Sequence, residues 1–272
     1  MEYVNVKGEK VPALGLGTWQ IEGRRCEKAV KNALNIGYRH IDTAQAYGNE
    51  KQVGNALKES DIDREEIWLT TKIWRSNFHR DDVKASFEKS LEKLQTDYVD
   101  LLLIHWPHRE IPFKETLSAM TDLVETGKVK NIGVSNFTVS QLSEASNVSE
   151  TSLLTNQVEY HPFLSQKEVL EECKSRGMML TAYSPLARGN VLDSLPLKKL
   201  GNKYGKSSAQ IALRWLVQQD NVSAIPKSST LQHQKENFDI FDFELNSTEM
   251  AEINELSRGE RKVDPGFAPD WD

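Results

Sequence analysis

The sequence predicts an α/β fold, a (β/α)8 TIM barrel formed by residues 1–272 as a single domain. Two observations predict it: short apolar runs rich in β-branched residues recur along the chain, and longer amphipathic segments separate them. Eight such alternations are typical of a barrel whose parallel strands are each followed by a helix. The apolar runs lie at residues 13–16, 38–41, 67–71, 99–104, 132–134, 153–158, 179–182 and 222–225.

Each element has its own signal in the sequence. Residues 3–14 read as two strands around the turn Lys7-Gly8-Glu9-Lys10, so we expect an N-terminal β-hairpin that closes the bottom of the barrel. The fourth run, 99–104, is almost continuously apolar, as a parallel strand buried on both faces should be. The tail from residue 259 onward is expected to be an irregular loop. Apolar stripes at helical spacing predict helices through residues 29–36, 83–94 and 209–216.

A doubly wound parallel sheet is the alternative fold, and it would require a phosphate-binding loop after its first strand. Gly15-Leu-Gly17-Thr-Trp-Gln20 has the first two glycines of such a loop, but Gln20 stands where the third glycine is required. The segment also does not lead directly into a clear helical pattern. We therefore favour the barrel.

Composition and charge argue against proteins that bind nucleic acids or membranes. The chain is 38% hydrophobic and carries a formal net charge of −6, with acids and bases interspersed. A nucleic-acid or anionic-membrane partner would require a basic face, so neither is expected. No apolar stretch approaches the roughly 18 residues of a membrane span, and the first residues do not resemble a signal peptide. We expect a cytoplasmic monomer that acts on a small molecule.

The cysteines and histidines do not indicate a disulfide or a metal site. Cys26 and Cys173 lie in charged, helix-like segments without a Cys-x-x-Cys pair, so two unpaired thiols are expected. His105 and His108 have the spacing of a metal pair, but no carboxylate stands at a suitable spacing beside them. We expect no metal.

Four reactive side chains fall at the ends of three consecutive predicted strands. The second run leads to Asp42 and its loop reaches Tyr47, while the third run leads to Lys72 and the fourth to His105. Each residue alone would more often be structural, as a helix cap, a solvated lysine or a hydrogen-bonded histidine. The strand ends of a barrel share one rim, however, so their joint occurrence predicts a catalytic group.

The four side chains suit the reduction of a carbonyl by hydride transfer. That reaction develops negative charge on the carbonyl oxygen, which a donor aimed at the oxygen stabilises. A phenol has an ordinary pKa near 10, so we expect the Lys72 ammonium to lower the pKa of Tyr47 and make it a better acid. Asp42 would pair with Lys72 and keep it protonated. His105 would donate a second hydrogen bond to the carbonyl and orient the substrate.

Seven segments form a pattern in order along the chain. They are residues 38–47 (YRHIDTAQAY), 70–74 (TTKIW), 98–107 (YVDLLLIHWP), 132–137 (IGVSNF), 156–162 (NQVEYHP), 183–186 (YSPL) and 225–228 (IPKS). Together they resemble the aldo-keto reductase family, which implies the barrel fold, carbonyl reduction and the same tetrad of rim residues. Within the family the chain most resembles the short bacterial 2,5-diketo-D-gluconate reductases and methylglyoxal reductases, and residues 268–272 (APDWD) favour the B form of the former.

The resemblance also implies NADPH as the cofactor. The nicotinamide carboxamide needs donors and acceptors, which Ser135, Asn136 and Gln157 would supply. The ring of Tyr183 would pack face-on against the nicotinamide. The other implied cofactor contacts on this side are Asp42, Thr18 near the nicotinamide ribose, and Ser184 and Leu186 along the pyrophosphate.

An anion site is implied after the eighth strand. Lys227 and Ser228 precede a predicted helix, and amides at a helix N-terminus together with a lysine suit the 2′-phosphate of NADPH. His233 stands where the family usually has an arginine, and a neutral imidazole lacks the permanent bidentate clamp of a guanidinium. We therefore expect NADPH to be preferred and NADH to be possible, with Glu236 and Asn237 approaching the adenine.

Tryptophans predict the substrate pocket. Trp19, Trp74 and Trp106 fall beside the four rim residues and would form aromatic walls for a small carbonyl compound. Trp271, near the end of the tail, either folds over the mouth of the barrel or stays loose.

Two other functions are left open. Lys72 could form a Schiff base in a barrel aldolase, although Asp42 would raise the lysine pKa, and this chemistry needs a lowered one. The chain could instead be a non-catalytic cofactor-binding module of the same fold, although its tetrad is intact and it has no extra interaction segment. Carbonyl reduction is the function that we expect.

Overall fold

The computed structural model describes residues 1–108 and 110–272. The chain begins with the predicted hairpin, whose strands β1 (Tyr3–Val6) and β2 (Glu9–Pro12) pair in antiparallel fashion. Lys7 and Gly8 form a two-residue turn with φ of 49° and 87°, the left-handed geometry that hairpin turns favour. The valines of both strands are buried, and β2 leads into the amino-terminal end of the first barrel strand.

Eight parallel strands form the barrel, which confirms the predicted fold class. Each is hydrogen-bonded to the next in sequence order, as expected when each strand is followed by a helix. The strands are β3 (Leu16–Gly17), β4 (His40–Asp42), β5 (Trp68–Ile73), β6 (Val99–Ile104), β7 (Val129–Ser135), β8 (Leu153–Glu159), β9 (Met179–Tyr183) and β10 (Val222–Ala224).

The two edge strands of this sheet meet through backbone contacts at the two glycines. Gly15 N donates to the Ala224 carbonyl at 2.9 Å, and Gly17 N donates to the Pro226 carbonyl at 3.1 Å. A Cβ at position 17 would lie 2.8 Å from the carbonyl oxygen of Ile225, so only glycine permits this approach. The Gly-x-Gly pattern therefore serves barrel closure, which agrees with rejecting the phosphate-loop interpretation.

Helices cover the outside of the barrel. The three predicted apolar stripes are the buried faces of α1 (Gly23–Ile36), α3 (Arg80–Leu94) and α8 (Ser208–Val217). A capping box at Ser207 and Gln210 begins α8, because the hydroxyl and the amide each satisfy a free backbone N–H. The helices are α1 (Gly23–Ile36), α2 (Glu50–Lys58), α3 (Arg80–Leu94), α4 (Phe113–Glu125), α5 (Val139–Val148), α6 (Lys167–Ser175), α7 (Leu195–Tyr204), α8 (Ser208–Val217), α9 (Leu231–Phe238) and α10 (Ser247–Asn254).

The C-terminal tail, residues 259–272, has no regular secondary structure, as predicted, and it packs back onto the carboxyl rim of the barrel. Cys26 and Cys173 are buried free thiols, in agreement with the sequence. Within the described ranges, no helix combines the length and apolar character needed to cross a membrane.

Candidate active site

The four rim residues meet at the carboxyl ends of neighbouring strands. Asp42 is the last residue of β4, Lys72 is the penultimate residue of β5, and His105 directly follows β6. Tyr47 ends a short 3-10 helix, Gln45–Tyr47, in the loop after β4. The structure therefore brings together all four side chains that the strand ends singled out.

Lys72 is the centre of this group. Its side chain is fully buried, and Nζ lies 2.5 Å from Asp42 Oδ1, 2.8 Å from the Thr43 carbonyl oxygen and 3.4 Å from the Tyr47 hydroxyl. An ammonium has three donors, so these three acceptors account for all of them. Gln157 Nε2 donates to the other Asp42 oxygen at 2.8 Å, which fixes the carboxylate from the opposite side.

The pKa values of the group follow from its burial. Burial lowers the pKa of the Lys72 ammonium, and the Asp42 carboxylate opposes that change. Burial, followed by the Asp42 carboxylate, raises the pKa of the Tyr47 phenol well above its ordinary value. The expected lowering of the Tyr47 pKa is therefore wrong for this arrangement. The hydrogen bond from Lys72 is long, while burial and Asp42 both disfavour the phenolate.

His105 is held in its neutral form. Burial and the Lys72 ammonium lower the pKa of its imidazole well below the ordinary value. Its ring lies edge-on to Tyr47 and to Trp74, with ring centres 5.5 and 5.3 Å apart. Nδ1 is buried and has no hydrogen-bond partner among the described residues, although a neutral imidazole carries one donor and one acceptor.

Two polar side chains that the sequence did not single out hold the loop carrying Tyr47. Buried Asn49 donates from Nδ2 to the carbonyl oxygens of Thr18 and Ile21, and its Oδ1 accepts from the Thr43 hydroxyl at 2.7 Å. Gln45 Oε1 accepts from the Trp74 backbone N–H at 2.9 Å. These bonds tie the loop to the ends of β3 and β5, so Tyr47 is preorganised against Lys72.

A cavity of about 530 Å³ opens above the tetrad, which is within the usual size of a small-molecule site. Trp19, Trp74 and Trp106 line it as predicted, and the sequence missed Phe267, which lines it from the tail. Tyr47 and His105 reach the cavity, whereas Lys72 is not among its lining residues. The remaining lining residues are Gly17, Asp42, Ala46, Ser135, Asn136, Gln157, Tyr183, Ser184, Ile225, Lys227, Val263 and Pro265.

The tail is anchored to the rim by one buried carboxylate. Glu159, at the end of β8, is fully buried and accepts hydrogen bonds from Lys262 N at 2.7 Å and Val263 N at 2.8 Å. His161 Nε2 lies 3.0 Å from the same carboxylate. This anchor brings Val263 and the residues after it to the cavity wall, including Phe267.

Trp271 takes neither of the two predicted arrangements. Its ring packs on Trp106 with ring centres 6.0 Å apart, and the Arg261 guanidinium lies over the Trp271 ring at 3.7 Å from its centre. Nε1 donates to Asp264 at 2.9 Å. Trp271 is not among the residues that line the cavity, whereas Phe267 is.

A hydrogen-bonded chain of polar side chains forms one wall of the cavity. The Tyr183 hydroxyl donates to Asn136 Oδ1 at 2.7 Å, and Asn136 Nδ2 donates to Ser135 Oγ at 3.0 Å and to the His105 carbonyl oxygen at 2.9 Å. Both amide donors of Asn136 are therefore used. Gln157 Oε1 accepts no hydrogen bond from any described residue, so it is free to meet a ligand.

The other expected cofactor residues divide into two groups. Ser184 and Lys227 line the cavity. Thr18 and Leu186 do not, and the Thr18 hydroxyl is already bonded to the Asp42 carbonyl oxygen at 2.9 Å. Outside the cavity lining, the segment after β10 and α9 carry buried Ser228, exposed His233, half-buried Glu236 and buried Asn237.

Proteins of known family are similar to this chain along most of its length. The model of the aldo/keto reductase family matches residues 13–258. Glyoxal reductase of Bacillus subtilis strain 168 is 45% identical over 255 residues, which cover 93% of this chain and 92% of that protein. Aldo-keto reductase family 1 member A1 of Homo sapiens is 38% identical over 297 residues, which cover 97% of this chain and 91% of that protein.

Solved structures of aldo-keto reductases have the same fold as this chain. A crystal structure with the provisional designation 2,5-diketo-D-gluconic acid reductase B has 46% identity and a TM-score of 0.98, covering 100% of this chain and 98% of its own. A Bombyx mori aldo-keto reductase in complex with NADP has 34% identity and a TM-score of 0.92, covering 99% of this chain and 97% of its own. With a matching family model over most of its length and relatives of this identity, the chain belongs to the aldo/keto reductase family.

Proposed function

We propose that this protein reduces small aldehydes and ketones to alcohols with NADPH, and that Tyr47 is the general acid. The observation that carries the proposal is the position of one phenol. Tyr47 lies in the wall of an aromatic cavity, with the buried Lys72–Asp42 ion pair directly behind its hydroxyl. A proton donor backed by a buried cation suits a reaction that builds negative charge on a substrate oxygen.

The polar wall of the cavity fits a nicotinamide. A carboxamide has an NH2 that needs acceptors, and Gln157 Oε1 and the remaining acceptor of the Ser135 hydroxyl are available. Its carbonyl needs a donor, which Asn136 would supply by releasing one of its two internal bonds. Tyr183 would pack against the ring, and Lys227 would meet a phosphate at the other end. The NADP complex of the Bombyx mori relative supports this cofactor.

The residues of the chain then have distinct tasks. Bound NADPH supplies the hydride. Tyr47 donates its proton to the carbonyl oxygen as charge develops there, and an alkoxide is a much stronger base than a phenolate, so the transfer is favourable even with a raised phenol pKa. Lys72 stabilises the phenolate that is left, and Asp42 keeps the ammonium in place. Neutral His105 donates a second hydrogen bond that orients the carbonyl.

The mouth of the cavity favours carbonyl compounds that carry a carboxylate or are small and polar. Two arginines stack on aromatic residues of its lining: Arg188 lies 5.0 Å from the ring centre of Trp19, and Arg75 lies 4.5 Å from that of Phe267. Positive charge beside the opening attracts anions. We therefore propose 2,5-diketo-D-gluconate and methylglyoxal-like carbonyls as substrates, in line with the names of two relatives.

The two competing functions have weaker support. A Schiff-base aldolase needs an accessible amine, but Lys72 is fully buried and does not line the cavity. A non-catalytic module would not need a cavity wall that contains both a phenol and an imidazole beside a buried ion pair.

Loss of absorbance at 340 nm tests the proposal, with NADPH or NADH and a panel containing methylglyoxal, glyoxal and 2,5-diketo-D-gluconate. We expect turnover with at least one dicarbonyl and a kcat/KM that is higher with NADPH than with NADH. A tenfold preference for NADH would contradict the cofactor assignment. Cofactor binding without turnover of any carbonyl would favour the binding module, and borohydride trapping of substrate on Lys72 would favour the aldolase.

A further inference from the structure

The first turn of α1 carries two arginines in an unfavourable position. Arg24 and Arg25 follow Gly23, the first residue of the helix, and the first turn contains no acidic residue. The helix dipole places partial positive charge at this end, so a cation there is unfavourable. A side chain that is unfavourable for its own helix often contributes a contact with another part of the fold.

Arg25 makes such a contact with the loop after β10. Its Nη2 donates to the hydroxyl of Ser229 at 2.8 Å, although the two residues are 204 positions apart. Ser229 lies two residues after Lys227, which lines the cavity. No carboxylate of the described residues forms an ion pair with Arg25, so a neutral hydroxyl holds its guanidinium beside the predicted phosphate site.

The framework around this contact is rigid. Gln234 of α9 is fully buried, and its Nε2 donates to the carbonyl oxygens of Ala29 at 2.9 Å and Ser228 at 3.0 Å. The Tyr38 hydroxyl donates to the Gln234 carbonyl oxygen at 3.0 Å. Ala29 lies one turn after Arg25 on α1. Helix α1 is thus fixed against the segment that carries Lys227, so the positions of Arg25 and Lys227 relative to each other are fixed as well.

We propose that Arg25 binds the 2′-phosphate of NADPH together with Lys227 and so determines the preference for NADPH over NADH. This proposal rests on the proposed function, because it assigns one residue of the cofactor site. A phosphomonoester dianion needs compensating charge and directional donors, and a guanidinium provides both through its planar fork of N–H groups. The imidazole of His233 has no such fork of N–H groups. Arg25 would supply from α1 the guanidinium that α9 lacks.

The test measures binding rather than activity. Quenching of tryptophan fluorescence would give Kd values for NADP⁺, NAD⁺ and adenosine 2′,5′-bisphosphate with the full-length protein and its Arg25→Ala variant. We expect the substitution to weaken NADP⁺ and the bisphosphate roughly 10- to 100-fold and to change NAD⁺ less than about twofold. Arg25→Lys should lie between the two, because an ammonium retains the charge but not the fork.

Arg24→Ala is the matched control. It removes the same charge from the neighbouring exposed position, which has no hydrogen bond to the β10 loop, so it should change all three Kd values less than about threefold. Equal weakening by both variants, equal weakening of NADP⁺ and NAD⁺, or no change in Arg25→Ala would overturn the role of Arg25 alone. If the unaltered protein does not bind NADP⁺ more tightly than NAD⁺, the NADPH assignment fails as well.

Discussion

The buried carboxylate of Glu159 accepts two backbone hydrogen bonds from the tail at the point where the tail joins the cavity wall. Glu159→Gln keeps the size of the side chain and removes its charge. One acceptor oxygen is left for two backbone donors, Lys262 N and Val263 N. The new amide group is itself a donor and would face one of these N–H groups.

The magnitude follows from the lost bonds. A hydrogen bond to a charged group contributes about 1.5–3 kcal/mol, and one such bond is lost while the other becomes a neutral one. We therefore expect the tail to be destabilised by about 2–4 kcal/mol relative to its open state. Since 1.4 kcal/mol corresponds to a factor of ten, the open population should rise by about 30-fold or more.

Hydrogen exchange of the tail amides is the assay, combined with steady-state kinetics. Exchange at Lys262 and Val263 should accelerate by about 30-fold, and KM for the carbonyl should rise while kcat falls less than about threefold, because the tetrad is not altered. Glu150→Gln, at an exposed position, is the control for the change in charge and should alter neither. Unchanged tail exchange together with a lower Tm would mean that Glu159 stabilises the barrel as a whole and does not anchor the tail.

Three further outcomes follow from buried groups and close contacts. Lys72→Met should lower the free energy of unfolding by about 3–5 kcal/mol because it leaves Asp42 as an uncompensated buried charge, and adding Asp42→Asn should restore stability but not turnover; recovery of turnover in the double variant would contradict the role of the ammonium. The pKa of His105 is held well below its ordinary value of about 6.5, so His105 should not titrate in that range. The pH profile of kcat/KM should therefore contain no ionisation near pH 6.5 that disappears in the His105→Gln variant; such an ionisation would contradict the neutral form of His105. Gly54→Ala should lower Tm, since its Cβ would lie 2.4 Å from the Lys93 carbonyl oxygen; an unchanged Tm would mean that α2 and α3 can separate at little cost.

Much of the tetrad was predictable because, in a barrel, the position of a residue relative to a strand determines where it lies in the fold. A residue that follows an apolar run lies on the carboxyl rim, so Asp42, Lys72 and His105 were brought together by the strand pattern alone. The same reasoning extended to the tryptophans beside them. It could not specify how deeply each group is buried, and for that reason the direction of the Tyr47 pKa was wrong.

Contacts of the irregular tail were not predictable. Glu159 and Val263 are 104 residues apart, and nothing in the periodicity of either segment indicates that they meet. Phe267 resembles any apolar residue in a loop, and Trp271 was the more conspicuous candidate for the mouth. The contact between Arg25 and Ser229 was not predictable either, since it joins residues 204 positions apart. The two arginines at the start of α1 are unfavourable for the helix dipole, and this was a local indication of a contact outside the helix.

Whether Tyr47 delivers the proton can be measured in a single turnover of the Tyr47→Phe variant. The variant would be saturated with NADPH, mixed rapidly with methylglyoxal and followed at 340 nm, with the Kd for NADP⁺ measured alongside. We expect the reduction rate to fall by about 10²- to 10⁴-fold, the usual contribution of a general acid, while Kd changes less than about twofold. A reduction rate within about threefold of that of the unaltered protein would contradict this role of Tyr47.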